Sequence, residues 1–347
     1  MTTRRRSSLC AVIAGTLLAA GPVAAQPRGP ADQCSSEAVR PQIRVAACSE
    51  LITRQAQALT NENLSAAYNN RGISFAALGQ GDRAMEDYNE SIRIDPRNAA
   101  AWNNRGNALL NTNQPERAIA DLDEAIRLQP RYAAAYNNRG NARVALNRRS
   151  EAMADFDEAI RINDQYPAAL FNRGLLHAAL GQHERAVADF DAALAIVPRT
   201  LAVVIARANA QAALGRRDKA IEDFELVSQL DARNVYALNA LCWNRAVLGS
   251  HALALRECDA ALRLAPDDPD VLDSRAYAYF RAGRLDDAMR DYQSVLERNP
   301  RAAMSLWGRG AVRARRGDRQ GAEADFAAAR AISPAVEAEA RAIGLMP

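Results

Sequence analysis

The chain has 347 residues, 49% of them hydrophobic, 24% charged and only 5% aromatic, with a formal net charge of +3. A chain of this length and balance can bury a core, which excludes the disordered, collagenous and small disulfide-scaffold classes. The excess positive charge is Arg4, Arg5 and Arg6; beyond residue 25 forty-one basic residues meet forty-one acidic ones, so nothing in the charge points to a nucleic-acid partner.

Residues 1–25 read as an export signal. The three arginines form a basic start, an apolar run extends from Leu9 to Ala20, and Val23, Ala24 and Ala25 supply a small-residue cleavage site before Gln26. Ser7 and Ser8 stand where a twin-arginine signal carries bulky apolar residues, so general secretion to the periplasm or beyond is expected, with no membrane insertion after cleavage. Residues 26–64 form a leading segment with Cys34 and Cys48, in which residues 43–52 have a helical apolar pattern and Thr60, Asn61, Glu62 and Asn63 suggest a polar loop.

From residue 65 the chain repeats itself. Eight blocks follow without insertion or deletion, 65–98, 99–132, 133–166, 167–200, 201–234, 235–268, 269–302 and 303–336, each thirty-four residues long. Step 20 is alanine in every block, from Ala84 to Ala322. Step 8 is small in every block (Gly72, Gly106, Gly140, Gly174, Ala208, Cys242, Ala276, Gly310), and step 24 is large wherever it is not Cys258. Steps 2–14 and 17–30 carry apolar residues at three- and four-residue spacing, which predicts two short helices per block. Step 15 is always glycine or asparagine, the residues that close a helix in the left-handed conformation, so the first helix is expected to stop there. Step 32 is proline except at Asp164 and Ala232, and proline stops the second helix from running on.

This pattern resembles the tetratricopeptide repeat family across residues 65–336. The resemblance implies an all-α, right-handed superhelical solenoid of antiparallel helix pairs whose first helices line a concave groove. It also implies a degenerate hairpin at 26–64 and a polar capping helix over 337–347. One pair cannot bury its apolar face alone, so the same letters recur because the same neighbours must stack.

The cysteines fall into two pairs. Cys242 and Cys258 occupy steps 8 and 24 of one block, the positions that face each other across every hairpin, and a disulfide is expected there, the alternative being two packed free thiols. A Cys34 to Cys48 bridge would tie down the leading hairpin. His177, His183 and His251 are scattered and no Cys-x-x-Cys exists, so no metal site is expected. The Leu241-Cys242-Trp243 block with Glu257-Cys258 also resembles exported repeat proteins of proteobacteria. Arginine at step 7 and aspartate at step 23 recur together in seven blocks, while Leu241 and Glu257 replace both in the sixth. Their reading is a ladder of ion pairs; an arginine row awaiting an acidic ligand is the functional alternative.

Two features suggest a binding face. Asn70, Asn104, Asn138 and Asn172 recur at step 6, beside Asn69, Asn103 and Asn137 at step 5 and Asn107 and Asn141 at step 9. Carboxamides donate and accept, so such a row can pair with the backbone of an extended peptide, or it can simply satisfy its own neighbours. It resembles the asparagine ladders of peptide-binding tetratricopeptide proteins, not their carboxylate clamp, which needs several lysines where this chain has only Lys219. Further on, Tyr236, Trp243, Tyr277, Phe280 and Trp307 bring aromatics to the same helix face, near Asp270, Asp273 and Arg281, as anchors for a partner's apolar side chain. No side chains are placed for nucleophilic catalysis and no phosphate loop is present, so neither enzymatic activity nor a cofactor is expected. The expected function is a non-catalytic scaffold or adaptor for another protein or peptide. The alternative is an accessory subunit of an envelope-assembly or cell-wall machine.

Overall fold

The computed structural model describes residues 29–347, so the expected signal segment and its cleavage point at Gln26 lie outside the described residues. Among the described residues there are nineteen α-helices and no strand. They gather into two compact units, one ending at Leu176 and one beginning at His177.

The first unit contains α1 (Pro30–Ser35), α2 (Pro41–Arg54), α3 (Asn61–Ala77), α4 (Gly81–Ile94), α5 (Ala99–Asn111), α6 (Pro115–Leu128), α7 (Ala133–Ala145) and α8 (Arg149–Ile162), and the boundary falls within α9 (Pro167–Ala179). The second contains α10 (His183–Ile196), α11 (Leu201–Ala213), α12 (Arg217–Leu230), α13 (Val235–Val247), α14 (His251–Leu264), α15 (Pro269–Arg281), α16 (Leu285–Arg298), α17 (Ala303–Arg315), α18 (Arg319–Ile332) and α19 (Val336–Ala342). Within each unit, consecutive helices joined by tight turns pack as antiparallel pairs, and each pair packs on the next.

The stop signals act as the sequence suggests. Asn113 and Asn147 take the left-handed conformation at φ 58° and 60°, as the step-15 glycines do, and the first helices end just before them. The second helices stop equally well where proline is missing. Asn163 Oδ1 accepts from Gln165 N at 3.0 Å and Asp231 Oδ1 from Arg233 N at 3.1 Å, the same side-chain turn that Asp95 and Asn299 make beside Pro96 and Pro300, so the turn suffices after α8 and α12 without the ring. Sequence reasoning missed that device.

Hairpins with glycine at step 8 close on a large residue at step 24. A Cβ added at Gly140 would lie 2.5 Å from Phe156 Cε1, and one at Gly106 would lie 2.8 Å from Leu122 Cγ. Helix axes therefore approach until the ring or branched chain lies on bare backbone, and all eight step-20 alanines are buried beside this contact. In the sixth block the same two positions carry the Cys242–Cys258 disulfide, and Cys34–Cys48 joins α1 to α2.

Two local expectations need correction. Asn61, Glu62 and Asn63 are the first turn of α3 and not a loop, because the Thr60 hydroxyl accepts from Asn63 N and starts the helix early. The capping helix ends at Ala342; Gly344, at φ 71°, turns residues 343–347 away from the helical path, and Leu345 is buried.

Candidate functional site

The arginine and aspartate ladder is structural glue. Arg71, Arg105, Arg139, Arg207, Arg275 and Arg309 each grip the aspartate sixteen residues on with two or more bonds, such as Arg105 Nε to Asp121 Oδ2 at 2.7 Å and Nη2 to Oδ1 at 2.8 Å. The third guanidinium nitrogen often reaches the preceding second helix: Arg105 to Asn89, Arg139 to Asp123, Arg173 to Asp157, Arg207 to Asp191 and Arg275 to Asp259. One side chain thus ties its own hairpin and staples it to the previous one. Where Leu241 replaces the arginine, Arg245, one turn later, donates to Glu257 at 2.7 Å and also meets Glu225. Charge-assisted bonds of this kind leave little for a ligand to claim.

The asparagines of the first unit bond to one another. Asn172 Nδ2 donates to Asn137 Oδ1 at 2.8 Å, Asn137 to Asn138 at 3.4 Å, Asn138 to Asn103 at 2.9 Å, Asn103 to Asn104 at 3.1 Å, Asn104 to Asn69 at 2.9 Å and Asn69 to Asn70 at 3.5 Å. This is one continuous rail across the first helices α9, α7, α5 and α3. Asn69, Asn103 and Asn137 are buried, whereas Asn70, Asn104, Asn138 and Asn172 are half-buried. Asn104 and Asn138 each use one N–H and one lone pair on neighbours, which leaves a second of each toward solvent. Asn107 and Asn141, half-buried one turn further on, bond to no other described side chain or backbone group in the set of hydrogen bonds that holds the rail.

The second unit treats its aromatics differently. Tyr236 is 53% exposed and its hydroxyl donates to Asn209 Oδ1 at 2.7 Å, so this residue does face solvent. Tyr277, Phe280 and Trp307, expected as open anchors, are buried at 1%, 0% and 3% exposure. Tyr277 and Trp307 are met by the chain's own residues 343–345, and Phe280 lies beneath the Arg315 guanidinium. Tyr277 Oη donates to Ile343 O at 2.5 Å, Arg281 Nη1 to the same carbonyl at 2.9 Å, and Trp307 Nε1 to Leu345 O at 3.0 Å. No periodic signal in the sequence marks that segment. Trp243 is half-buried and packs on Tyr277 at a tilt of 40°, with ring centroids 4.9 Å apart.

Asp273 is also enclosed. Ser305 Oγ donates to its Oδ1 at 2.5 Å, and burial, only partly offset by that bond, pushes its carboxyl up to about 6. A carboxylate so placed helps no acidic ligand and has no metal partner: among the described residues no group of three or more His, Cys, Asp or Glu could hold an ion.

Models of the tetratricopeptide repeat match residues 103–167, 137–199 and 274–337, and a further model of the repeat matches 72–113, together more than half of the chain. The chain belongs to the tetratricopeptide repeat family. The fold of this tetratricopeptide repeat protein is similar to pilF of Pseudomonas aeruginosa, with TM-score 0.56 and 20% identity over 64% of this chain and 99% of that one. It is similar to PilW, a type IV pilus biogenesis factor, at TM-score 0.55 and 21% identity over 60% of this chain and 96% of that one. It is also similar to the Cut9–Hcn1 hetero-tetramer of the APC/C, at TM-score 0.53 and 15% identity over 88% of this chain and 59% of that one. At these identities the likeness is one of fold. No curated protein matches the chain significantly in sequence. A tetratricopeptide repeat fold is a protein-interaction scaffold.

Proposed function

We propose that this tetratricopeptide repeat protein is an exported, non-catalytic scaffold that holds an extended segment of a partner protein along the first helices of its first unit. The observation that carries this reading is the asparagine rail: amides locked by their neighbours at one-repeat spacing, with a donor and an acceptor left over at Asn104 and Asn138 and with Asn107 and Asn141 beside them. Preorganised amides cost little entropy on binding, and an extended main chain offers matching carbonyl and N–H groups whatever its side chains. Two disulfides suit an oxidising compartment, and no helix among the described residues is long and apolar enough to cross a membrane.

Peptides selected from a random display library on the intact protein test the reading. Scrambled versions are expected to bind nearly as well as the originals, while methylation of alternate backbone amides weakens them by about 0.5–1.5 kcal/mol for each hydrogen bond lost. Selected peptides indifferent to backbone methylation, or none at all, contradict it. For export, intact mass of protein from its native compartment is expected to begin at Gln26 and to show no free thiol among Cys34, Cys48, Cys242 and Cys258; reduced thiols there contradict this part.

A further inference from the structure

The second unit carries a separate feature that the rail does not explain. Residues 343–345 lie along α15 and α17, and the groups that hold them are side chains reading main-chain carbonyls: Tyr277, Arg281 and Trp307. Arg315 Nη2 adds a long contact to Met346 O at 3.4 Å. The Leu345 side chain is 1% exposed and belongs to the same apolar cluster as Tyr277, Phe280 and Trp307. A peptide in a binding site is held in this manner, by one apolar anchor and bonds to its backbone.

The charge around this segment is uncompensated. Arg217 and Arg281 are half-buried and form no ion pair, which among the described arginines that are not exposed is otherwise true only of Arg44; Arg315, exposed, forms none either. Arg281 bonds only to Tyr277 Oη and a carbonyl, Arg217 donates to Asn244 Oδ1 at 2.9 Å, and Arg315 lies over the Phe280 ring at 3.9 Å. Arg281 is close enough to lower the affinity of both Arg315 and His251 for their protons, in each case second to burial. Neutral carbonyls are poor partners for such a cluster; a carboxylate is a better one.

We infer that the face formed by Tyr277, Arg281, Trp307 and Arg315 is a second binding site, for an acidic partner segment that buries a leucine-sized side chain beside Trp307 and sets a carboxylate against Arg281 and Arg315. Residues 343–345 occupy it in cis and are displaced when such a segment arrives. The site lies wholly in the second unit and does not depend on the asparagine rail.

A fluorescent peptide of sequence Asp-Ile-Gly-Leu-Asp, and its counterpart with both aspartates changed to asparagine, titrated into the full-length protein test this. Leu345→Ala, which loosens the internal segment, is expected to raise affinity for the acidic peptide about tenfold over the unaltered protein. Arg281→Ala added to it is expected to abolish the gain, and the asparagine peptide is expected to bind several-fold more weakly. Equal binding by all three proteins, equal binding of the two peptides, or no binding overturns the inference. If Leu345→Ala fails to fold, hydrogen exchange on the unaltered protein decides: amides of residues 343–346 are expected to exchange far faster than those of α15 and α17. Exchange of the segment only with those helices makes it a fixed cap and overturns the displacement.

Discussion

The carboxylate of Asp121 is 6% exposed and depends on Arg105 for both of its strong bonds. Truncating Arg105 to alanine strands a buried charge, and a loss of about 3 kcal/mol in unfolding free energy is expected. Changing Arg105 and Asp121 together to leucine removes charge and partner at once and is expected to recover most of that loss, which chemical denaturation of the single and double variants measures. Asp273 has the opposite sign. Its folded carboxyl is raised from 3.8 to about 6, so the folded state holds a proton the unfolded state has released, and stability falls as pH rises across that window. Above it a penalty of roughly 2–3 kcal/mol persists. Asp273→Asn keeps an acceptor for Ser305 without the charge, so the variant is expected to be more stable than the unaltered protein at pH 7.5 and to lose that advantage near pH 4. An advantage that is independent of pH contradicts the assignment. The ladder's pairing was legible in the sequence because arginine and aspartate change together at Leu241 and Glu257; the second bond, from five of the arginines to the preceding hairpin, had a similar signal that went unread, since Asn89, Asp123, Asp157, Asp191 and Asp259 share one step and Glu225 replaces them in the block before Leu241.

At the level of helices, the chain is governed by a few contacts repeated at thirty-four-residue spacing. Gly140 is one of them: its missing Cβ is filled by the Phe156 ring. Gly140→Ala is expected to cost about 1–3 kcal/mol through overpacking. Gly81, at the start of α4 with nothing within 4 Å of an added Cβ, provides the contrast, and Gly81→Ala is expected to stabilise by up to about 1 kcal/mol. Thermal unfolding of the two variants beside the parent gives both signs in one comparison. The first-helix stops could be read in advance because Asn113, Asn147 and the step-15 glycines act through local backbone preference. What escaped were devices that act across the register between repeats, such as Asn104 reaching back to Asn69, and the placement of residues 343–345, which have no period to reveal where they dock.

For the molecule as a whole, each unit is a stack in which a pair of helices is stabilised by its neighbours, so identical residues do different work depending on what lies beside them. The first unit presents amides joined in one rail; the second has its aromatic face covered by its own C-terminal residues. The rail decides between a structural and a recognition role, because Asn104 and Asn138 hold neighbouring repeats together whereas Asn107 and Asn141 are not part of the rail. The most direct measurement is calorimetric titration of one selected peptide into two double variants, with thermal unfolding of each recorded alongside. Asn104→Ala with Asn138→Ala is expected to lower the unfolding temperature as well as affinity. Asn107→Ala with Asn141→Ala is expected to leave the unfolding temperature unchanged while weakening binding by about 0.5–1.5 kcal/mol for each hydrogen bond removed. Unchanged affinity in the second variant, measured well below its unfolding temperature, contradicts the claim that this face reads a peptide backbone.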